Sequence, residues 1–425
     1  MTTASRAGLW RDPNFAWLMG GGVISALGDQ FSMIALPWLV LKLTGDPVAL
    51  GLVVALMGIP RAVLILFGGA LVDRYSPKRV LMLTKHVNTV LLAILCVLVY
   101  TAQATLPLVI ALALGLSLAS AFSIPAGTSM LPHAIAPERL QAANGMMMGI
   151  RQATMLAGPL LAGLLFALGG DGSAGMADAR GLALAFGFDA FSFALSAWTL
   201  AQVTPLRVTP AAPQPVLRAI GEGLALVWRD LTLRTCFIYW GLCACIVGGA
   251  MQVAMPLLAS ERLHGASALG LLMGAHGAGA LAGMALSSLP GRRRLGNLGM
   301  TLLAVDGIIG LLLLPLGRID ATWQGMLVNL AIGVLGGFVN VAVFTWLQQR
   351  VPQAMLGRMM SIFMFVFMGL APMAAALVGW LAARVSLATL FGGAGLCLAG
   401  AALLAWLFTP MRALDDAAAS PSAPR

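Results

Sequence analysis

Ionisable side chains stand inside long apolar stretches of this sequence, and each needs a chemical reason, because a charge at the centre of a bilayer costs at least roughly 2.5–3.5 kcal/mol on insertion scales. Asp29 lies midway along the first stretch and Arg61 follows Pro60 midway along the second. A carboxyl in low-dielectric surroundings can load and release a proton, or it can form a permanent pair with a guanidinium; Arg61 could equally attract an anionic ligand. Arg151 beside Gln152 is a candidate polar group of a cavity. His276, among Gly274, Gly277 and Gly279, titrates near physiological pH but also suits a histidine buried in helix packing. Asp306 reads as a proton-carrying candidate or as one end of a buried structural bond. Asp189 reads as a packing or interfacial carboxyl near the end of its stretch. Lys85 and His86 sit a turn or two inside theirs, where a long side chain can snorkel to the interface.

The elements that must position these residues follow from composition. The 425 residues are 60% hydrophobic and 9% charged, against about a quarter charged in soluble domains. Lipid is therefore the solvent. A span needs roughly 20 apolar residues, and closed backbone hydrogen bonding makes it a helix. Breaks at charges and Gly/Pro clusters predict twelve: 15–43, 48–72, 79–100, 106–131, 142–168, 181–203, 235–258, 268–289, 298–316, 323–347, 358–383 and 387–408. The fold class is thus an all-α membrane protein. The first apolar run, Phe15 to Leu43, is longer than the core of a cleavable signal peptide.

The formal charge of +10 would point to nucleic acid in a soluble domain, so its placement matters. With the N-terminus taken as cytoplasmic, 17 of the 25 Lys and Arg fall on that side, among them Arg11, Arg139, Arg234, Arg292, Arg293, Arg294 and Arg412, against seven acids. The opposite face balances five bases with five acids. This asymmetry predicts that both ends are cytoplasmic, turns the net charge into a topology signal, and removes nucleic acid as a partner. The five cysteines all lie in apolar runs and read as packing residues; neither a metal site nor a cofactor is expected. The absence of GxxxxGK[ST] argues against direct coupling to ATP, and the short loops leave no room for a soluble receptor domain.

An internal repeat is legible. Ala35-Leu36-Pro37 followed by Ala49-Leu50-Gly51-Leu52 recurs 219 residues later as Ala254-Met255-Pro256 and Ala268-Leu269-Gly270-Leu271; further on, Ala136-Pro137 matches Val351-Pro352 at an offset of about 215. The expected organisation is a six-helix half over 1–203, a linker over 204–234, a second half over 235–408 and a disordered tail over 409–425. Four prolines stiffen the linker, and Leu217, Ile220, Leu224, Val227 and Leu231 then recur at helical spacing, which predicts an amphipathic helix on the cytoplasmic leaflet.

Gly69-Ala-Leu-Val-Asp73-Arg74-Tyr-Ser76-Pro77-Lys78-Arg79 resembles motif A of the major facilitator superfamily, GxLaDRxGRK, with Ser76 in place of a glycine and Pro77 in place of a base. The resemblance implies a latch on the cytoplasmic gate, in which an acid beside a basic cluster forms charge-assisted bonds in one conformation only. The second-half counterpart keeps Gly283 and Arg292 to Arg294 but has Ser287 for the acid. Gly145, Thr154, Gly158, Pro159, Ala162 and Gly163 resemble motif C of the drug/proton antiporters, a small-residue pattern that also suits plain helix packing.

The segments around Gly28-Asp29-Gln30, Leu140 to Gly145, Glu222 to Asp230 and Leu347 to Arg358 together resemble the antiporter branch that includes macrolide-efflux proteins and the enterobactin exporter. What the resemblance implies is the major facilitator fold and a monomeric inner-membrane exporter of an amphiphilic small molecule working by proton antiport and alternating access, for which Asp29 is the candidate proton carrier. A facilitator without proton coupling and a lipid or lysolipid flippase are the alternatives. Met146, Met147, Met148, Met251, Met255, Phe363, Phe365 and Phe367 are expected either to line a cavity for a bulky apolar ligand or to face lipid.

Overall fold

The computed structural model describes residues 9–170, 179–206, 216–263, 265–287 and 297–414; the side chains of 66–75, 137, 216–220, 353–354, 357 and 368 lie outside the description. Twelve helices among the described residues are long and apolar enough to cross a membrane. They are α1 (Pro13–Thr44), α2 (Pro47–Tyr75), α3 (Pro77–Tyr100), α4 (Leu106–Ala134), α5 (Leu140–Gly169), α6 (Arg180–Gln202), α8 (Leu231–Glu261), α9 (Ala266–Ser287), α10 (Leu298–Leu313), α11 (Thr322–Arg350), α12 (Gln353–Ala382) and α13 (Leu387–Phe408). A shorter helix, α7 (Val216–Arg229), precedes α8. The described residues contain no strand.

Local chemistry sets the helix ends. Asp12 accepts from the backbone N–H of Asn14 and Phe15 and opens α1; Gly45, at φ 63°, closes it. Asp46 caps α2 ahead of Pro47, and Asn297 and Ser386 cap α10 and α13 in the same way. Asp230 caps α8 through Thr232 and Leu233, as Asp12 caps α1. Each of these two caps also meets an arginine: Asp12 lies 3.7 Å from Arg139, and Asp230 2.9 Å from Arg350. Large apolar side chains stand on the outside, Leu168 at 80% and Phe408 at 78% exposure, a surface that only lipid can cover at low cost.

The chain forms two compact units. The first comprises Met1–Val216 with Met255–Gly274. In it α6 packs along both α1 and α3, α2 lies on α4, and α5 follows α1. The tip of the α8–α9 hairpin joins this unit at Gly270, where a Cβ would stand 2.6 Å from Gly163 Cα and from the Pro159 carbonyl oxygen. The second unit comprises Leu217–Ala254 and Ala275–Arg425. Here α10 packs on α13, and α9 and α11 meet backbone to backbone: a side chain at Gly279 or Gly283 would strike Leu330 and Val334, and one at Gly333 or Gly337 would strike His276 and Ala280. This is the small-residue contact by which helices associate without a hydrophobic driving force.

One irregularity interrupts α8, a π-helical segment over Ala244–Gly248 that packs against α12 beside Pro372. The helix α7 is more than an amphipathic strip on a leaflet. Gly223 packs on Ile362, Glu222 forms an ion pair with Arg358, and Val227 enters an aromatic core with Trp240, Trp346 and Phe363. Leu224 and Trp228 remain on the outside.

Candidate functional site

The first unit contains a seam of polar side chains where α1, α3 and α6 meet. On α1, Ser25, Asp29 and Ser32 recur at steps of four and three, so they share one face. On α6, Asp189, Ser192, Ser196 and Thr199 recur at steps of three, four and three and form a matching face. Glycine brings the two together: a Cβ at Gly28 would overlap Asp189 Oδ1 and Ser192 Oγ, and one at Gly21 would overlap Thr199 Oγ1.

Lys85 enters the seam from α3. It is 7% exposed, donates from Nζ to Ser196 Oγ at 2.5 Å and to Ser25 Oγ at 3.4 Å, and lies 5.5 Å from the Phe193 ring centroid. The expectation that it snorkels is corrected. Two hydroxyls and a ring hold the ammonium inside, because α6 offers it a polar face closer than the interface. Asp189 is a packing carboxyl, one of its two readings, and only its placement near the end of the stretch is corrected. It lies nine residues, roughly 14 Å, from the start of α6, is 1% exposed, and accepts from Ser32 and from Ser192 Oγ, the latter at 3.2 Å. Its neighbourhood is the seam and not a loop.

Asp29 keeps accessible surface of its own while being densely surrounded by protein, and it interacts electrostatically with Lys85 and Arg61. Arg61 carries a buried Nε with no hydrogen-bond partner, a charge-bearing group held in place beside Asp29. Two acids and two bases therefore converge in this unit. Their formal charges cancel when both carboxyls are ionised.

The other candidates lie apart from the seam. Arg151 is exposed on α5. Asp306, on α10 in the second unit, is buried and accepts from Tyr239 Oη at 2.8 Å, so it has a fixed structural partner. His276 presents its carbonyl to Gly333, and its Nδ1 is buried without a hydrogen-bond partner. Gly158 lies against Gln30, and Gly163 against Ser267 and Gly270, while Gly145 has open space around it. Gly69, Asp73 and Arg74 fall in the last turns of α2, and their side chains lie outside the described residues, as do Arg292 to Arg294. Lys78 donates to the carbonyls of Ala201 at 3.0 Å and Val203 at 2.6 Å, which places a cation on the C-terminal end of α6; Arg79 is exposed. Met255 and Phe363 are buried in packed cores and cannot line a ligand cavity as they stand.

A sequence profile described as the Major Facilitator Superfamily matches residues 18–376. The chain belongs to this superfamily. Its relatives include the enterobactin exporter EntS of Salmonella paratyphi A, 27% identical over 87% of this chain and 86% of that one. The multidrug efflux pump Tap of Mycobacterium tuberculosis is 31% identical over 53% of each chain. An uncharacterized MFS-type transporter of Sinorhizobium fredii, y4rN, is 24% identical over 86% and 88%. Among solved structures, the nucleoside transporter NupG superimposes with a TM-score of 0.71 at 15% identity, covering 93% of this chain and 99% of that one. A bacterial homologue of the iron transporter ferroportin gives 0.67 at 18%, covering 92% and 96%. The protein is a multi-pass membrane transporter of the major facilitator fold, and its family consists of transporters and not enzymes.

Asp189 and Lys85 are the members of the seam that reading along the sequence placed elsewhere. The signal for them was present as the run of Asp189, Ser192, Ser196 and Thr199 at helical spacing, a polar stripe on a helix that is otherwise apolar.

Proposed function

We propose that the protein is a secondary active exporter of an amphiphilic small molecule, driven by proton antiport with alternating access. It acts as a monomer in the inner membrane with both ends in the cytoplasm. The observation that carries the proton coupling is Asp29: an accessible carboxyl in mid-span, next to Lys85 and Arg61 without a committed ion-pair partner among the described contacts. A carboxyl locked to a guanidinium would hold its charge throughout; one that only shares the field of two cations can gain and lose a proton. The export direction and the substrate class rest on the resemblance to the enterobactin exporter and the multidrug pump. Proton entry supplies roughly 2.3 kcal/mol per 100 mV of membrane potential for each charge, before any pH gradient, enough for accumulation without ATP. The cluster of Gly69, Asp73, Arg74, Lys78 and Arg79 is the proposed cytoplasmic latch that biases one conformation.

The test is transport of ethidium, an amphiphilic probe, in proteoliposomes with an imposed proton gradient. Wild-type protein accumulates the dye, and Asp29→Asn loses gradient-driven accumulation while keeping passive exchange. Equal transport with the gradient collapsed would make the protein a facilitator. Movement of labelled lysolipid in place of dye would make it a flippase.

A further inference from the structure

We infer that Asp189 is a second proton-binding group of the same site, which holds a proton in exchange with Asp29. This rests on the reading of Asp29 as the coupling carboxyl.

Three observations point the same way. Asp189 is sealed at 1% exposure, and its carboxyl lies against the α1 backbone at Gly28, one residue from Asp29. Gly28 is what admits it, since any side chain there would occupy the place of Oδ1. The partners of the carboxyl are both hydroxyls, Ser32 and Ser192. A hydroxyl can donate to a carboxylate or turn and accept from a carboxylic acid, so this pocket is satisfied in either protonation state. An arginine or lysine partner would satisfy only the ionised form. Finally, the seam is charge-balanced around the pair. Of the titratable groups in the seam, Asp29 of α1 acts on Asp189, while Lys85 of α3 and Arg61 of α2 act on Asp29; Cys96 of α3 has its Sγ near Gly187 on α6. The helix α5, whose sole charged side chain is the exposed Arg151, meets α6 at Gly169 and Gly181.

The 219-residue offset that relates the repeats carries Asp29 onto Gly248, so the corresponding helix of the second half has no acid at that place and the pair of carboxyls belongs to the first half. Two carboxyls that share one site titrate as a pair. The accessible Asp29 exchanges its proton with the aqueous side, and the sealed Asp189 retains it when Asp29 is ionised. No bond other than O–H is made or broken: a proton leaves one carboxyl oxygen and binds the other, directly or through Ser32.

The experiment follows the infrared carbonyl band of protonated carboxylic acids in the full-length protein, reconstituted in lipid and titrated from acid to alkaline pH. Asp29→Asn and Asp189→Asn are each expected to remove one component and to displace the midpoint of the other by about one pH unit or more. Ser32→Ala removes a hydrogen-bond donor and no charge. It is expected to move the Asp189 component most, with the coupled Asp29 component following it, and it decides the matter if Asp189→Asn fails to fold. An Asp29 midpoint unchanged in Asp189→Asn, or a Ser32→Ala titration identical to wild type, overturns the inference. Failure of the Asp29 reading looks different: ethidium accumulation in Asp29→Asn stays gradient-driven, whatever the infrared titration gives.

Discussion

At the scale of single residues, two positions carry consequences that can be measured without knowing the substrate. Ser76, between α2 and α3, has φ 75°, a backbone conformation that favours glycine, and it stands where motif A has glycine. Holding an L-residue there costs of order 1 kcal/mol. Ser76→Gly is therefore expected to stabilise the protein by about 1 kcal/mol, seen as a higher midpoint of thermal unfolding in detergent; an unchanged or lower midpoint would count against the strain. Asp230 caps α8 and meets Arg350. Burial alone would raise its carboxyl, but the Leu233 N–H, the Arg350 guanidinium and the Thr232 N–H together hold it below its ordinary value of 3.8. A carboxyl depressed by folding contributes stability above its unfolded value, and that contribution is lost as pH falls from about 4 through the lower folded value. Asp230→Asn should flatten the fall in thermal stability across this acid window and leave the neutral region lowered. A slope equal to that of the wild type below pH about 4 would show that the depression has no energetic weight.

At the scale of elements, the molecule uses two different ways of joining helices. In the first unit, α1, α3 and α6 are joined through hydroxyls, an ammonium and a carboxyl, with glycines making room for them. In the second, glycines of α9 and α11 bring the two backbones into contact, beside a hydrogen bond between His276 and the backbone at Asn329. At those glycines there is no side chain to adjust, so a substitution there has only backbone to push against. Gly283→Leu is expected to cost more than about 3 kcal/mol and to appear as loss of the monodisperse peak on size exclusion in detergent. Gly145→Leu, at a glycine with open space around it, should be tolerated on packing grounds. If both variants behave alike, the backbone contact between α9 and α11 is not what holds them.

At the scale of the whole molecule, the placement of basic residues makes a prediction about orientation. A cysteine introduced at Gly172 should react with an impermeant thiol reagent from outside intact cells. One introduced at Arg293 should react only after the membrane is opened. Both positions lie outside the described residues, and the prediction rests on the charge count alone. Reversed labelling would turn the molecule over, and with it the side on which the proposed latch acts. The cysteines already present serve as an internal control, since Cys397 is exposed on an apolar helix and Cys236 is buried.

The twelve helices were readable from the sequence because what makes them is local: about 20 apolar residues in a row leave the backbone no hydrogen-bond partner but itself. The caps at Asp12, Asp46 and Asp230, the small-residue runs and the family motifs are local in the same sense. The partners of the charges were not. Asp29, Lys85 and Asp189 are far apart in the chain, and helical spacing shows which residues share a face but not which face of another helix it meets. In lipid no hydrophobic drive chooses that pairing; it is chosen by backbone approach at Gly21 and Gly28 and by hydroxyls that satisfy buried polar groups. Lys85 could therefore be read along the chain as a snorkelling lysine and Asp189 as a packing or interfacial acid, and only the packing of α6 between α1 and α3 places both in the seam beside Asp29.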